Sequence, residues 1–360
     1  MATSRQLGEI PTTMTGVILT GHGGLDKLQY RQDLKVPIPR PDEVLIRVAA
    51  AGINNTDVNT RIGWYSKDDT TDNATWSGTP LHFPRIQGAD CCGYIAATGD
   101  NVSKDRIGQR VLVRNMLRHY VDYQPYTCWT FGSECDGGFA QYVKAPSRET
   151  YKVDCDWSDV ELGAIPCAYS TAENVIHRAK VTANETVLIT GASGGVGLAA
   201  VQLVKRRKAR AVAVCGQAKA EHVRAAGADL TINRGDSVLK EFGKDSVDVV
   251  LDLAAGPGFG ELLDVLKQGG RYAVAGAIAG PLVQLDVRTL YLKDLTFFGC
   301  TFQEDEVFAN LVSYIERAEI LPPRIGKTFP LEQICAAQEH FLSKSTSGKL
   351  VLEIPHPLKD

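Results

Sequence analysis

The chain has 360 residues, of which 44% are hydrophobic and 22% charged, as is typical of a globular protein with more than one domain. Its net charge of −3 argues against nucleic acid and anionic membranes as partners. No apolar run reaches the roughly 18 residues that a membrane span needs, and the first 13 residues, which lack a signal-peptide core, are interpreted as a loose leader. Nine cysteines without framework spacing indicate reduced thiols and a cytoplasmic location.

The first part of the chain, residues 1–157, is predicted to be rich in β-strands. Short β-branched and apolar runs predict these strands, at 14–20, 44–50, 84–97, 110–114 and 139–143. Glycine turns between such short strands favour a partly barrel-like domain over a parallel sheet. An insertion at 66–80 has no periodicity, and we interpret it as either a functional lid or a disordered loop.

From residue 158 onward, strands alternate with helices. Residues 160–178 have helical spacing, and 187–190 form the first of a series of strand-like runs. The later runs are at 211–214, 229–232, 247–251 and 272–275, with helical stretches such as 218–226 and 260–266 between them. This alternation indicates βαβ units, a parallel sheet and right-handed crossovers. The predicted fold class is therefore α/β, with a β-rich domain and a doubly wound parallel-sheet domain.

The junction after the first strand of this second domain, VLITGASGGVG at 187–197, is the clearest functional signal. Glycines permit a tight turn, a close approach of the backbone to a pyrophosphate, and close packing of helix on strand. The phosphates of a dinucleotide would then lie at the positive helix N-terminus. A purely structural turn is the alternative. In this chain Ala192 stands at the position of the first glycine of the G-x-G-x-x-G motif. The predicted cofactor contacts here are Ser193, Gly194, Gly195, Val196 and Gly197.

The end of the second strand bears on which dinucleotide is bound. An Asp or Glu at that point bonds the ribose 2′-hydroxyl of NAD, but residues 212–219 contain no carboxylate. A 2′-phosphate beside Gly216 would thus meet no like charge, and Lys219 and Arg234 could attract it. The alternative is that both cations are simply solvated. We predict NADPH rather than NADH.

Six segments together carry a resemblance to a known family: AAAGINNTD, PRIQGADCCGYI, GAIPCAYSTAENVI, VLITGASGGVGLAAVQLVK, AAGADLTINR and SGKLVLEI. On these segments, residues 16–354 resemble the medium-chain dehydrogenase/reductase superfamily and, within it, the zinc-independent, quinone-oxidoreductase-like group. The resemblance implies a GroES-like catalytic domain with a Rossmann domain inserted before the last segment. The implied domains are 1–157, 158–300 and a return at 301–360.

The resemblance also bears on metals. It places the three ligands of the catalytic zinc of zinc-type relatives at Asn54, Ala89 and Cys167. An amide, a methyl group and one thiolate cannot hold zinc tightly, and the stretch 114–138, which corresponds to a four-cysteine structural lobe, has only two cysteines. We therefore predict a zinc-free protein. Replacement ligands are conceivable, although their spacing does not support them: His82, Asp90 and His119.

Without a Lewis acid, a conjugated C=C–C=O group is easier to reduce than a simple carbonyl, since charge spreads onto an oxygen that hydrogen-bond donors can stabilise. The resemblance puts an active-site tyrosine at Tyr65, which we predict to be that donor, with a cleft wall as the alternative. Asn54 is predicted to orient cofactor or substrate. Asp57 follows the same strand and, rather than acting as a base, is expected to fix the loop by accepting backbone N–H groups.

Further cofactor contacts combine the expected geometry with the resemblance. Thr171, near the start of a helix, is expected to reach phosphate or ribose, and Gly276 and Ala277 end a strand of the parallel sheet. The resemblance alone places Cys300 and Lys349 over the cofactor.

The resulting prediction is an NADPH-dependent, zinc-independent reductase of an α,β-unsaturated carbonyl or quinone. Two alternatives stay open: an alcohol dehydrogenase or carbonyl reductase, and a non-catalytic NADPH-binding protein. The expected partners are a small-molecule substrate and, because the strand at 295–300 pairs across a two-fold axis in related enzymes, a second copy of the chain. The alternative is a monomer, in which an apolar buried strand would have the same sequence pattern.

Overall fold

A computed structural model describes residues 9–66 and 80–356. The first eight residues of the predicted leader and residues 67–79 of the predicted insertion lie outside the described residues. The chain divides into two compact units, one formed by residues up to Cys167 and from Arg324 onward, the other by Ala168–Pro323. No helix in the described part is long and apolar enough to cross a membrane.

The first unit is built mainly of short strands. The elements up to residue 163 are β1 (Thr13–Leu19), β2 (Leu28–Lys35), β3 (Glu43–Ile53), α1 (Asn55–Ile62), β4 (Arg85–Ile86), β5 (Cys92–Thr98), β6 (Arg110–Val113), β7 (Met116–Leu117), β8 (Trp129–Thr130), β9 (Tyr142–Pro146), β10 (Thr150–Lys152) and α2 (Asp159–Gly163). β3 is its central strand because nearly every residue of EVLIRVAAAGI is buried. A helix follows β3 at once and ends at Gly63, whose left-handed backbone (φ 72°) suits a residue without a Cβ.

The parallel unit occupies the middle of the sequence. Its elements are α3 (Pro166–Arg178), β11 (Thr186–Ile189), α4 (Gly195–Arg206), β12 (Arg210–Cys215), α5 (Ala220–Ala225), β13 (Leu230–Asn233), α6 (Val238–Phe242), β14 (Val247–Asp252), α7 (Phe259–Asp264), β15 (Leu266–Val274), α8 (Val287–Leu292), β16 (Thr296–Gly299) and α9 (Asp305–Glu316). The chain then returns to the first unit as β17 (Ile325–Pro330), α10 (Ile334–Ser343) and β18 (Lys349–Glu353).

The sheet orders define the fold class. In the first unit the largest sheet has the order β10-β6-β5-β3-β18-β17, with β9 also paired to β3, and a smaller sheet has the order β2-β1-β4. In the second unit the order is β13-β12-β11-β14-β15-β16 and every pair is parallel. That order is 3-2-1-4-5-6, the doubly wound Rossmann arrangement. The predicted α/β fold, with a β-rich domain and a parallel-sheet domain, is confirmed.

The single helical stretch expected at 160–178 is two helices. Ser158 caps the first, because its hydroxyl accepts from the Glu161 N–H while the Glu161 carboxylate accepts from the Ser158 N–H. The second begins at Pro166, a residue suited to the first helical position because it lacks an N–H. The first unit accordingly extends to Cys167 and resumes at Arg324, beyond the expected boundaries at 157 and 300.

Candidate active site

The polar residues that follow β3 are held at the start of α1. Asn54 is the residue before the helix, and its backbone N–H donates to the carboxylate of Asp57 at 2.8 Å. The second oxygen of the same carboxylate accepts the backbone N–H of Ala89 at 3.0 Å. Asp57 thus fixes two loops through their N–H groups, the role expected for it from the sequence.

A second carboxylate, Asp90, is fully buried and has three donors. One oxygen accepts the backbone N–H of Cys167 at 2.5 Å. The other accepts the Asn54 side-chain amide at 2.8 Å and the Lys349 ammonium at 3.0 Å. This carboxylate therefore joins residues that lie far apart in the sequence.

The Lys349 ammonium is itself enclosed, with a side chain only 4% exposed. Besides Asp90 it donates to the Asn54 amide oxygen at 2.5 Å and to the backbone carbonyl of Ile53 at 3.3 Å. An ammonium has three N–H donors, and all three are used within the unit. The predicted contact of Lys349 with the cofactor stays a prediction. In the structure its three N–H donors are directed to Asp90, Asn54 and Ile53 instead. We call Asn54, Asp57, Asp90 and Lys349 the polar cluster.

Burial sets the electrostatics of this cluster. The pKa of Asp57 is raised to about 7, mainly by desolvation and in part by the nearby Asp90 charge, although the N–H groups that it accepts and the Lys349 ammonium favour the ionised form. With two carboxylates and one ammonium, the cluster carries one unbalanced negative charge once Asp57 ionises.

Tyr65 lies just beyond the C-terminal end of α1. Its hydroxyl donates to the Thr56 hydroxyl at 3.3 Å and accepts from the Asn59 amide at 3.5 Å. Both bonds are long, so the hydroxyl can turn to a better acceptor at little cost. Burial raises the pKa of Tyr65, which keeps the hydroxyl protonated at neutral pH. Its ring packs edge-to-face on Trp64 with 5.4 Å between the ring centroids.

In the second unit, the glycine turn lies where the strand order reverses, between β11 and β14. Gly191 has a positive φ of 59°, and a Cβ on Gly197 would lie 2.4 Å from the Gly191 carbonyl oxygen. These two glycines therefore provide the turn and the close helix packing. Residues 193–196 are partly or fully exposed at the start of α4, so their N–H groups fit the phosphates of a dinucleotide.

The carboxyl ends of β12 and β13 lie side by side. The Arg234 N–H donates to the Cys215 carbonyl at 2.7 Å. β12 ends at Cys215 and is followed by Gly216 and a single helical turn that ends at Lys219. The pKa of Lys219 is lowered by burial and then by the charge of Arg234. Two cations thus lie close enough to repel, and an anion between them would relieve that repulsion.

The other predicted cofactor residues are distributed over the second unit. Thr171 lies in α3 and is partly exposed, and Gly276 and Ala277 follow β15 with partial exposure. Cys300 follows β16, is buried, and has a thiol whose pKa burial raises to about 11. The thiol is therefore protonated at neutral pH.

A buried carboxylate network beneath the glycine turn is absent from the sequence-based prediction. Asp252, at the end of β14, accepts the hydroxyls of Thr190 at 2.5 Å and Tyr272 at 2.6 Å, and the N–H groups of Ala254 and Ala255 at 3.0 and 2.9 Å. It ties together the ends of β11, β14 and β15. An Asp that ends an otherwise apolar strand run, VVLD, is the signal in the sequence.

Two family models match the chain: an alcohol dehydrogenase GroES-like domain over residues 40–155 and a zinc-binding dehydrogenase over residues 195–317. Quinone oxidoreductase of Homo sapiens is 30% identical over 365 residues, covering 98% of this chain and 99% of that protein. The chain belongs to the medium-chain dehydrogenase/reductase superfamily. This confirms the resemblance seen in the sequence.

Two other relatives extend the comparison within the superfamily. The chloroplastic NADPH-dependent alkenal/one oxidoreductase of Arabidopsis thaliana is 26% identical over 347 residues, covering 95% of this chain and 80% of that protein. A crystal structure from Sinorhizobium meliloti 1021 that carries an alcohol dehydrogenase name is 43% identical, with a TM-score of 0.91, and covers 98% of this chain and 100% of that one. The relatives are oxidoreductases by name, and the chain shares that class.

Zinc-type members of the superfamily bind the catalytic metal through three protein ligands, here expected at Asn54, Ala89 and Cys167. The structure does bring these positions together, since the two buried aspartates bond to all three. However, the Asn54 amide is engaged within the polar cluster, and a methyl group has no donor atom. Within the described residues no three His, Cys, Asp or Glu side chains are grouped to hold a metal. The residues present do not fit a zinc ion.

The stretch 114–138, which corresponds to the structural zinc lobe of these enzymes, also lacks a metal-binding set of thiols. We call residues 114–149, which include this stretch, the lobe. The Cys128 thiol lies 3.8 Å from the Met116 sulfur, and burial raises its pKa to about 12. The lobe contains instead a buried ion pair of Arg114 and Glu149, 3.9 Å apart and 1% and 2% exposed. The Glu149 carboxylate also accepts the backbone N–H groups of residues 118 and 119 at 2.6 and 3.2 Å.

Proposed function

We propose that the protein is an NADPH-dependent reductase of α,β-unsaturated carbonyls or quinones that works without zinc. The polar cluster carries this proposal. The positions of the catalytic metal ligands hold an amide, a methyl group and a single thiol, and the Asn54 amide is bonded to the enclosed Lys349 ammonium within the cluster. Such a site offers hydrogen bonds and no Lewis acid. A conjugated acceptor is the substrate class that hydrogen bonds alone can serve.

The chain's own groups have distinct tasks in this reaction. The bound nicotinamide supplies a hydride from its C4. The Tyr65 hydroxyl, protonated and only weakly bonded to Thr56 and Asn59, donates to the substrate oxygen as negative charge develops there. The Asn54 side-chain amide orients the reactants through one N–H, which is held only by a long bond of 3.4 Å to the Gly52 carbonyl. The other bonds of this amide, to Asp90 and Lys349, are short. Asp57 acts as a fixed acceptor for two loops.

The choice of NADPH rests on the ends of β12 and β13. Lys219 and Arg234 lie near one another there, and residues 210–219 contain no carboxylate to bond a ribose hydroxyl. The glycine turn 193–197 and Gly216 complete the dinucleotide site, and we place Thr171, Gly276, Ala277 and Cys300 at the nicotinamide end. Arg234→Ala should weaken NADPH binding about tenfold and leave NADH binding unchanged, as measured by fluorescence titration of both cofactors. Equal Kd values of the wild type for the two cofactors would contradict the NADPH assignment.

We further propose a homodimer in the cytoplasm. β16 is the edge strand of the parallel sheet and is partly exposed, so its free edge can pair with a second copy. Exposed apolar side chains precede it on the same unit: Leu282, Val283, Val287, Tyr291 and Leu292. The nine cysteines, all of which lie within the described residues and form no disulfide there, support a reducing compartment. Analytical ultracentrifugation of the wild type and a Leu282→Asp variant tests the dimer.

Turnover against paired substrates is the deciding experiment. NADPH oxidation is followed with 1,4-benzoquinones, enones and enals and with the saturated analogue of each, with and without a chelator. Turnover that is confined to the conjugated members and unaffected by the chelator is the expected result. Turnover of the saturated aldehydes that the chelator abolishes would contradict the proposal.

The second candidate is an alcohol dehydrogenase or carbonyl reductase, which the 43% identity to the structure from Sinorhizobium meliloti favours. Its distinguishing result is turnover of a saturated aldehyde with none of the matching enone. NADPH binding without turnover of any substrate would indicate a non-catalytic binding protein.

A further inference from the structure

The ion pair within the polar cluster has no step of its own in the proposed reaction. Asp90 and Lys349 are 0% and 4% exposed, with 3.0 Å between the ammonium nitrogen and the nearer carboxylate oxygen. Burying two charges costs free energy that the Coulomb attraction repays only when further hydrogen bonds complete the site. The bonds that complete this site therefore indicate what the pair holds in place.

Asp90 holds the first turns of two helices. One carboxylate oxygen accepts the backbone N–H of Cys167, the second residue of α3, and the other accepts the side-chain amide of Asn54, the residue that precedes α1. Helix N-termini carry a partial positive charge that favours an anion. The carboxylate thus fixes the start of α1 and the start of α3 at one point.

Lys349 completes the connection from the C-terminal segment. Its ammonium donates to the Ile53 carbonyl and the Asn54 amide oxygen, while its backbone N–H donates to the carbonyl of Arg324 at 2.9 Å. Cys167 is the last residue of the first stretch of the unit, and Arg324 is the first residue of its second stretch. A single ion pair therefore joins both points at which the chain leaves and re-enters the β-rich unit.

We propose that Asp90 and Lys349 are positioning residues for hydride transfer. α1 carries the two side chains that bond the Tyr65 hydroxyl. Because the ion pair holds Asn54, the residue that precedes α1, it sets where the hydrogen-bond donor lies. Neither residue touches the substrate. This inference rests on the proposed function, whose residues it positions.

Asp90→Asn tests the positioning with little change in volume. An amide that accepts from the Cys167 N–H must turn its own N–H groups toward the Lys349 ammonium and the Asn54 amide, both donors. The helix starts should then shift, and a misplacement of about 1 Å lowers kcat by on the order of 100-fold. The double variant Asp90→Asn/Lys349→Met removes the unpaired ammonium, so it keeps the unit folded if the single variant does not.

Glu43 provides a matched control. It is 1% exposed and, like Asp90, accepts one backbone N–H (Arg40, 2.8 Å), one side-chain donor (Tyr120, 2.8 Å) and one ammonium (Lys144, 3.1 Å). It begins β3, whose last residue is Ile53, about 33 Å away along an extended strand. Glu43→Gln should therefore lower the midpoint of unfolding without changing kcat.

Three measurements on each full-length variant decide the outcome. The first is kcat and KM with the preferred substrate, the second is the primary isotope effect with NADPH deuterated at C4, and the third is hydrogen exchange of the peptides that contain Cys167 and Asn54. The inference expects a fall in kcat, a larger isotope effect and faster exchange at the Cys167 amide in both Asp90 variants, and none of these in Glu43→Gln. Unchanged kcat in a folded Asp90 variant, or an equal fall in Glu43→Gln, would overturn it.

The proposed function can fail separately. If the wild type reduces saturated carbonyls instead, the same variants are measured with those substrates, and an unchanged kcat still overturns the positioning. If the wild type turns over nothing, the proposed function is overturned, and the positioning of helices by Asp90 is judged from hydrogen exchange alone. Unaltered exchange at Cys167 then overturns the inference as well.

Discussion

The β-rich unit has two regions where zinc-type relatives bind a metal, and in this chain both contain a buried ion pair. In the polar cluster the pair is Asp90 and Lys349, and in the lobe it is Arg114 and Glu149. Each carboxylate also accepts a backbone N–H group. In a metal site, the bound metal would order these backbone segments instead. The two regions thus follow one physical pattern.

They differ in what the carboxylate holds. Glu149 accepts from the backbone of a surface loop at 118 and 119, whereas Asp90 accepts from the starts of α1 and α3. The lobe pair should therefore contribute to stability, and the cluster pair to the rate of the reaction as well. The cluster also contains a second carboxylate, Asp57, so that its charges do not balance.

The unbalanced charge predicts the largest effect. The pKa of Asp57 is raised to about 7 in the folded protein, against about 3.9 in an unfolded chain. Between these two pH values the unfolded chain has released a proton that the folded protein retains, so stability falls as pH rises from 4 to 7. The loss amounts to about 4 kcal/mol. Because Asn cannot ionise, Asp57→Asn should lack this slope.

The measurement is urea unfolding of the wild type and Asp57→Asn at several pH values between 4 and 8. The difference between their free energies of unfolding should change by about 4 kcal/mol across the window. A constant difference would show that Asp57 is already ionised at low pH. The negative charges of the cluster would then be as well balanced by their partners as that of the lobe.

In the lobe, Glu149→Gln should lower stability by about 3 kcal/mol, because it removes a buried negative charge that faces the buried Arg114 guanidinium. Arg114→Met/Glu149→Gln should recover part of that loss, since it removes both charges. Thermal unfolding measures both effects, with kcat as the second readout. A fall in kcat comparable to that of an Asp90 variant would remove the distinction between the two regions.

Local patterns in the sequence are sufficient to predict the fold of the parallel unit. Alternating strands and helices and the glycine turn at 191–197 depend on residues that are neighbours along the chain, and such signals predict a doubly wound sheet. The break between α2 and α3 was predictable in principle from Ser158, Glu161 and Pro166, which form a cap and a helix start. The helical periodicity across the break concealed it.

The polar cluster could be predicted only in part. Asn54 and Asp57 follow one strand and were recognised as a pair of polar groups, but Asp90 and Lys349 are 259 residues apart. Their contact depends on β18 pairing antiparallel to β3, which no local pattern specifies. The resemblance gave Lys349 a cofactor contact, whereas only the three-dimensional structure shows the three acceptors around its ammonium.

Tyr65→Phe tests the reactive side of the cluster. Loss of a donor aimed at a developing oxyanion costs about 100-fold in rate, so kcat/KM for a conjugated substrate should fall by about that factor. Stability should hardly change, because the bonds to Thr56 and Asn59 are long. Thr56→Val, which removes only a bonding partner of the tyrosine, is the control and should have a smaller effect. An unchanged kcat/KM in Tyr65→Phe would leave the tyrosine as a wall of the cleft.

Metal removal should have the smallest effect, and it tests both regions at once. The side chains at Asn54, Ala89 and Cys167 do not fit zinc as a ligand set, and in the lobe the Cys128 thiol donates a hydrogen bond to the Met116 sulfur. Prolonged treatment with a chelator should therefore change neither kcat nor the unfolding midpoint, and metal analysis should find much less than one zinc per chain. A chelator that lowered the unfolding midpoint alone would place a metal in the lobe. One that abolished turnover alone would place it in the cluster, where Lys349 would then have to leave Asn54.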